Sequence, residues 1–130
     1  LNLRIAVGET TADDTDRIRR VVGSDIDVEV ADAHEPSPLS PVDDPAFALL
    51  ERTVTEVFAE AVPVPYVMYA ATDARHFTTI CERVYRFAPF RMSAAQREAI
   101  HSYDERLGVE DFLDGIRWYR ALLDGLAGER

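Results

Sequence analysis

The amino-acid sequence predicts an α/β fold, in which helices and strands alternate along the chain. Apolar residues make up 47% of the 130 residues, which is enough to build a globular core. Alternating apolar residues predict two strands, near residues 3–7 and 26–30, and a helical pattern lies between them. Beyond a proline-rich segment at residues 34–44, helical and strand-like patterns alternate again, which favours a layered α/β architecture.

Residues 1–33 carry the pattern of a strand, a helix and a second strand. The helix is expected to start after an N-cap at Thr11 and to stop at Gly23, because glycine is common at helix C-termini. A unit of this size cannot bury its own apolar faces, so we expect it to belong to a larger sheet. The four prolines between residues 36 and 45 exclude a helix or a central strand, and they predict an extended linker over 34–44.

Residues 45–130 are predicted to form a second domain with the order helix, strand, helix, strand, helix. Asp44 suits an N-cap and Pro45 suits the first helical position, so a helix is expected from here to about residue 61. A continuous apolar run over residues 62–70 predicts a strand buried on both faces, and residues 84–87 predict another strand.

The C-terminal elements follow from capping residues and helical spacing. Ser93 begins a capping box and predicts a brief helix before His101. A polar loop then leads to a last helix over about residues 109–126, and Trp118 lies off its apolar face. That face is predicted to consist of Phe112, Ile116, Tyr119, Leu123 and Leu126.

Charge and composition exclude several classes of partner. The net charge of −10 argues against nucleic acid, because phosphate binding needs a basic surface. No apolar run approaches the roughly 20 residues that span a bilayer, so no membrane partner is expected. The single cysteine, Cys81, is expected to be a small buried hydrophobe and fits a cytoplasmic location. Because the chain starts at Leu1 rather than Met, we expect it to be a piece of a longer protein.

Two short strings, residues 72–77 and 101–106, concentrate the ionisable groups of the chain. Thr72 or Asp73 is expected to cap a short helix that carries Arg75. Three interpretations of Arg75 are open. It is an exposed arginine without a specific role, it pairs with Asp73, or its guanidinium binds a substrate carboxylate through two hydrogen bonds.

Histidines are the other candidate functional residues, and each has a structural alternative. His101 is either structural or a metal ligand, which Asp104 and Glu105 would help to orient. One histidine does not make a zinc site, because zinc usually needs three or four protein ligands. His34 is expected to be exposed and inert, and His76 to serve in packing or capping.

Together the two strings resemble signature sequences of the co-catalytic zinc metallopeptidases of family M20. This family includes aminoacylases, glutamate carboxypeptidases and succinyl-diaminopimelate desuccinylase. Residues 72–77 resemble the family's TDSRHF string, and residues 101–106 with the following helix resemble its HG-x-(N/D)-ER string and closing helix. The order of the strings, the gap between them and the Glu35-Pro36-Ser37-Pro38 linker also fit. The resemblance covers nearly the whole chain, but only the C-terminal part of a full-length member.

The resemblance implies a zinc-peptidase-like α/β catalytic domain that is preceded by the end of a ferredoxin-like lid domain. Residues 1–33 would be the closing part of this lid and dimerisation domain, and residues 45–130 the C-terminal half of the catalytic domain. A homodimer or higher oligomer is therefore expected. Two zinc ions per active site would polarise the amide carbonyl and activate a water.

The same resemblance assigns roles to single residues. His101 would be the last zinc ligand. Arg75, with Thr72 and Asp73 beside it, would bind the carboxylate of the substrate. The expected substrate is a small peptide or an N-acyl amino acid.

The family's remaining machinery is absent from these residues. The H-x-D string, the bridging aspartate and the Glu-Glu pair, which supply most metal ligands and the general base, are missing, and Ala70-Ala71 and Ser102 replace family glycines. We therefore expect a fragment of a zinc-dependent metallopeptidase or amidohydrolase that is inactive in isolation. The alternative is a non-catalytic dimerisation or interaction module derived from the family.

Overall fold

The computed structural model describes residues 1–128 and contains helices without a sheet. Residues 129 and 130, which end the predicted 45–130 domain, lie outside the described residues. Within the described part no strand is present, so the predicted α/β fold, with its strand-helix-strand lid segment and zinc-peptidase-like sheet, is wrong. The helices are α1 (Thr11–Val22), α2 (Pro45–Val57), α3 (Ala74–Phe77), α4 (Ala94–Glu98) and α5 (Val109–Gly128).

The strand predictions failed because apolar alternation says nothing about a pairing partner. A strand forms only when its backbone N–H and C=O groups bond to a neighbouring segment. Over residues 1–128 the predicted strand segments form no such ladder. The apolar run 62–70 is also not buried, since Val62 is 81% exposed and Tyr66 is 73% exposed.

The chain divides into two compact units, and the first comprises Leu1–Pro41 and Tyr66–Tyr85. Its main helix, α1, starts one residue earlier than predicted because Thr10, not Thr11, is the N-cap. The Thr10 hydroxyl accepts from the Asp13 amide at 3.2 Å, while the Asp13 carboxylate accepts from the Thr10 amide at 3.0 Å. This reciprocal capping box satisfies two amides at the helix start. Gly23 is confirmed as the C-cap, with a φ of 80°.

Specific hydrogen bonds hold residues 34–41 of the proline-rich segment within this first unit. The Glu35 carboxylate accepts from the Thr11 amide at 3.1 Å and so places a negative charge at the start of α1. The Ser40 hydroxyl accepts from the Val84 amide at 2.9 Å and donates to the Val84 carbonyl at 3.0 Å. Residues 34–41 are therefore tied to the first unit, and the predicted domain boundary at 34–44 stays a prediction.

The second unit comprises Val42–Pro65 and Arg86–Arg130, and it is built on the packing of α2 against α5. Asp44 and Pro45 are confirmed as the N-cap and first residue of α2, which ends at Val57 rather than near residue 61. None of the described helices, including α5 as the longest, combines the length and the hydropathy needed to cross a membrane. The core of the unit consists of Val54, Phe58 and Trp118, with Leu50, Val57 and Leu122 packed against it.

The buried face of α5 is not the face that helical spacing predicted. Trp118 is only 2% exposed, whereas Ile116 is 49% exposed and Leu123 is 64% exposed. The reason lies in two glycines on the Trp118 side, Gly115 and Gly125, which let other parts of the unit approach the helix closely. Helix α5 has apolar residues on two adjacent stripes, and the stripe with the small residues is the one that packs.

Candidate functional site

The first string, residues 72–77, forms the short helix α3 in the first unit. Of the two expected caps, Thr72 and Asp73, it is Asp73 that occupies the N-cap position, but its side chain makes no capping hydrogen bond. Backbone bonds close the turn instead: the Arg75 amide donates to the Thr72 carbonyl at 3.2 Å, and the His76 amide donates to the Asp73 carbonyl at 3.0 Å. The Asp73 carboxylate is therefore not used to hold the helix.

Arg75 is exposed on this helix and its partner is its neighbour, His76. The Arg75 Nε donates to the His76 Nε2 at 3.3 Å. Within residues 1–128 no carboxylate forms an ion pair with Arg75, so the alternative pairing with Asp73 does not occur. The expectation that His76 serves in packing or capping is wrong, because its side chain is exposed and bonds only to Arg75 among the described residues. The arrangement leaves the terminal guanidinium nitrogens of Arg75 at the surface, where they can meet an anion.

The second string, residues 101–106, follows α4 in the second unit. The Ser93 capping box predicted for α4 is confirmed, with the Ser93 amide donating to the Gln96 side chain at 2.8 Å. After α4 the chain turns sharply, since the Ser102 amide donates to the Ala99 carbonyl at 2.9 Å. His101 lies in this turn and is exposed.

Two residues of the second string have an unusual backbone. Among the described residues other than glycine, only His101 and Asp104 have positive φ, at 62° and 61°. Aspartate and histidine enter this left-handed region more often than most residues other than glycine, although in both the Cβ crowds the following carbonyl oxygen. No sequence signal points to a left-handed histidine, so this feature was missed.

The carboxylates of the second string do not contact the imidazole as expected. The Asp104 carboxylate pairs with Arg106, whose Nη1 also donates to the Asp104 carbonyl at 3.0 Å. The Glu105 carboxylate accepts instead from the His101 backbone amide at 3.0 Å. The His101 imidazole itself makes no hydrogen bond to a described residue, so both ring nitrogens are available to a ligand.

The described residues offer one candidate metal ligand, the imidazole of His101, and do not form a complete metal site. A neutral imidazole is a common zinc ligand. Across residues 1–128, however, no group of three or more His, Cys, Asp or Glu side chains lies close enough to hold an ion. His34 is exposed as predicted, with its Nε2 3.6 Å from the Asp32 carboxylate. His101 and Arg75 belong to different units, and their assigned roles stay predictions.

Cys81 does not play the buried role that was predicted. It is exposed, and its Sγ accepts from the Arg83 amide at 3.4 Å. The cysteine thus belongs to a surface turn after α3 and adds nothing to an apolar core.

Comparison with known proteins supplies the family. The model of "Peptidase family M20/M25/M40" matches residues 2–125. The chain is 30% identical over 125 residues to a probable carboxypeptidase S-like 2 of Dictyostelium discoideum, covering 95% of this chain and 24% of that protein. It is also 30% identical over 122 residues to the N-fatty-acyl-amino acid synthase/hydrolase PM20D1 of Mus musculus, covering 91% of this chain and 24% of that protein.

The matches are partial with respect to the relatives. The chain spans about a quarter of the length of the curated relatives, for example 25% of the human PM20D1 protein, to which it is 29% identical. No solved structure matches this chain. Because the family model covers nearly all of the sequence, this chain belongs to peptidase family M20/M25/M40.

Proposed function

We propose that this chain is the C-terminal part of a zinc-dependent metallopeptidase or amidohydrolase. The whole protein hydrolyses an amide or peptide bond in a small substrate that carries a carboxylate. Membership of a peptidase family supports the reaction type. The names of the relatives, a probable carboxypeptidase S-like protein and an N-fatty-acyl-amino acid synthase/hydrolase, support an amide bond in a peptide or an acyl amino acid.

The observation that carries this proposal is the backbone of His101. A left-handed conformation at a residue other than glycine costs about 1–3 kcal/mol and persists only where the surroundings hold it. Such residues cluster at functional sites. At His101 the conformation has a φ of 62°, and the exposed imidazole has no structural hydrogen bond within the described chain. A histidine that is held in a backbone conformation of higher free energy, and whose imidazole makes no hydrogen bond, is suited to bind a metal ion.

Arg75 is the proposed anchor for the substrate carboxylate, with Thr72 and Asp73 beside it. A guanidinium binds a carboxylate through two parallel N–H···O bonds, which fixes orientation as well as affinity. The Arg75 Nε donates a hydrogen bond to the His76 Nε2 at 3.3 Å, and no carboxylate among residues 1–128 pairs with Arg75. Its two terminal nitrogens remain to form such a fork.

This chain does not complete the proposed metal site by itself. A zinc ion supplies Lewis acidity and an activated water when three or four ligands hold it. Here His101 supplies one ligand, and the described residues form no cluster of three. We therefore propose that the remaining ligands and the general base come from other parts of the whole protein, and that the 130-residue chain alone is inactive.

A comparison of the 130-residue chain with the whole protein tests this proposal. Both are supplied with zinc and assayed for hydrolysis of dipeptides and N-acyl amino acids. We expect the whole protein to hydrolyse at least one substrate, and a chelator to stop it, while the chain alone stays inactive. Robust zinc-dependent hydrolysis by the chain alone contradicts the proposal, and so does activity of the whole protein that survives metal removal.

We also propose that the protein self-associates as a homodimer or a higher oligomer. Large apolar side chains are exposed in both units, among them Ile80 at 81% in the first unit and Leu123 at 64% in the second. Monomeric proteins rarely leave large apolar patches uncovered. Sedimentation velocity at several protein concentrations tests this proposal. If self-association persists while the whole protein lacks both metal and hydrolysis, the alternative of a non-catalytic interaction module replaces the enzyme.

A further inference from the structure

The left-handed backbone of His101 has an identifiable support in Glu105. The two residues are four positions apart, and the Glu105 Oε2 accepts from the His101 amide at 3.0 Å. A hydrogen bond to an ionised carboxylate is stronger than one between neutral groups. This bond links the two ends of the five-residue segment 101–105. It therefore opposes a change of the His101 backbone to the right-handed region.

No neighbouring cation of the string competes with the His101 amide for the Glu105 carboxylate. Arg106, the nearest cation in sequence, pairs with Asp104 instead of Glu105. The same arginine also donates to the Asp104 carbonyl at 3.0 Å, which holds the second left-handed residue of the string. Each of the two left-handed residues therefore has its own polar support, one from Glu105 and one from Arg106.

We propose that Glu105 is a positioning residue, which fixes the backbone of His101 and thereby the direction in which its imidazole leaves the chain. The proposal rests on the proposed function, in which His101 is a metal ligand. A change of φ from the left-handed to the right-handed region swings the Cα–Cβ bond to another side of the backbone. Metal–ligand distances tolerate only about ±0.2 Å, so a ligand that is free to swing binds poorly. Outer partners of metal ligands typically change metal affinity by about 10–100-fold when removed.

The first test measures the backbone of His101 in the 130-residue chain and needs no metal. The three-bond amide–Hα coupling and the Cα and Cβ chemical shifts of His101 report φ directly. We expect Glu105→Ala to lose the left-handed values, and Glu105→Gln to retain them because its side-chain oxygen still accepts from the amide. Glu98→Ala, which removes another exposed glutamate just before the turn, is the matched control. The near-ultraviolet signal of buried Trp118 confirms that each variant is folded.

The second test measures zinc affinity in the whole protein. We expect Glu105→Ala to weaken zinc binding by about 10–100-fold, and Glu105→Gln and Glu98→Ala to weaken it much less. The inference is overturned if Glu105→Ala keeps the left-handed signature of His101, if Glu105→Gln loses it as fully as Ala, or if zinc affinity is unchanged in Glu105→Ala. Failure of the proposed function has a different outcome, because His101→Ala would then leave zinc binding intact.

Discussion

The ring of Phe90 lies directly against the Cα of Gly115 in helix α5. A methyl group added to Gly115 would overlap the Phe90 ring, with Cδ1 at 2.6 Å, and would lie 3.1 Å from the Pro89 carbonyl oxygen. The Phe90 ring also stacks on Phe112, with centroids 6.2 Å apart, which limits its freedom to move away. Glycine at this position lets the segment before α4 pack onto α5.

Substitution of Gly115 by alanine is expected to destabilise the protein by about 1–3 kcal/mol, the usual cost of overpacking. The clash outweighs the better helix propensity of alanine, which is worth roughly 1 kcal/mol. Chemical denaturation of the wild type and the variant measures the difference. Gly128→Ala in the same helix is the control, because nothing lies within 4 Å of its added methyl group. Equal stability of Gly115→Ala and Gly128→Ala would show that Phe90 does not crowd this helix.

Substitution of Trp118 by alanine is expected to cost about 3–5 kcal/mol, as for other buried aromatic residues. The side chain is 2% exposed, and its ring lies 5.0 Å from that of Phe87 and 5.2 Å from that of Tyr119. Leu123→Ala on the predicted face is the control and should change the free energy of unfolding by about 0.5 kcal/mol or less. If Leu123→Ala were the more damaging substitution, the face of α5 that helical spacing predicted would be the packed one after all.

The sequence predicted some features of the fold correctly and others wrongly. Helix starts were predictable where a capping side chain precedes the helix, as at Asp44 and Ser93, because these caps are local. The sheet was predicted wrongly, since strands depend on a partner segment that a local pattern does not contain. The packed face of α5 was predicted wrongly as well, because two apolar stripes compete and glycine contacts decide between them.

The pKa of Asp13 is expected to lie below its ordinary value of 3.8, chiefly because the Thr10 hydroxyl donates to its carboxylate at 2.7 Å. The Thr10 backbone amide and the charge of Arg17 act in the same direction. Thr10→Val removes the hydroxyl and keeps the shape, so the pKa of Asp13 should rise in that variant. A carbon-13 titration of the Asp13 carboxyl group measures both values.

The same bond predicts a pH dependence of stability. A carboxyl group whose pKa is lowered by folding stabilises the protein above its unfolded pKa, and this contribution is lost as the pH falls through the folded pKa. The stability difference between the wild type and Thr10→Val should therefore shrink as the pH falls below about 3.8. A difference that stays constant or grows as the pH falls would rule out the Thr10–Asp13 bond as its source.

Arg75→Ala in the whole protein is expected to weaken binding of carboxylate-bearing substrates by about 2–4 kcal/mol, if the charge pair with the substrate is desolvated. The loss should appear mainly in KM if the proposed charge pair is equally strong in the bound substrate and in the transition state, which is uniform binding. Amidated substrates, which lack the carboxylate, are the control and should be affected little. Equal losses on charged and amidated substrates would remove Arg75 from the anchor role.

The candidate site was partly predictable, and the limits are physical. The strings 72–77 and 101–106 are visible in the sequence because unlike ionisable residues are concentrated there. The sequence did not predict the partners of those residues. Glu105 bonds to a backbone amide rather than to the imidazole, and Arg75 bonds to His76 rather than to Asp73, because turn geometry decides which groups meet.

The most direct test of the central claim is the zinc content of the whole protein with His101→Ala, measured by mass spectrometry of the metal after gel filtration. We expect this variant to lose zinc and nearly all turnover, because His101 is proposed to be a metal ligand. His34→Ala, which removes an exposed histidine of the proline-rich segment, should keep both. Retention of full zinc content by His101→Ala would contradict the assignment of His101 as a metal ligand.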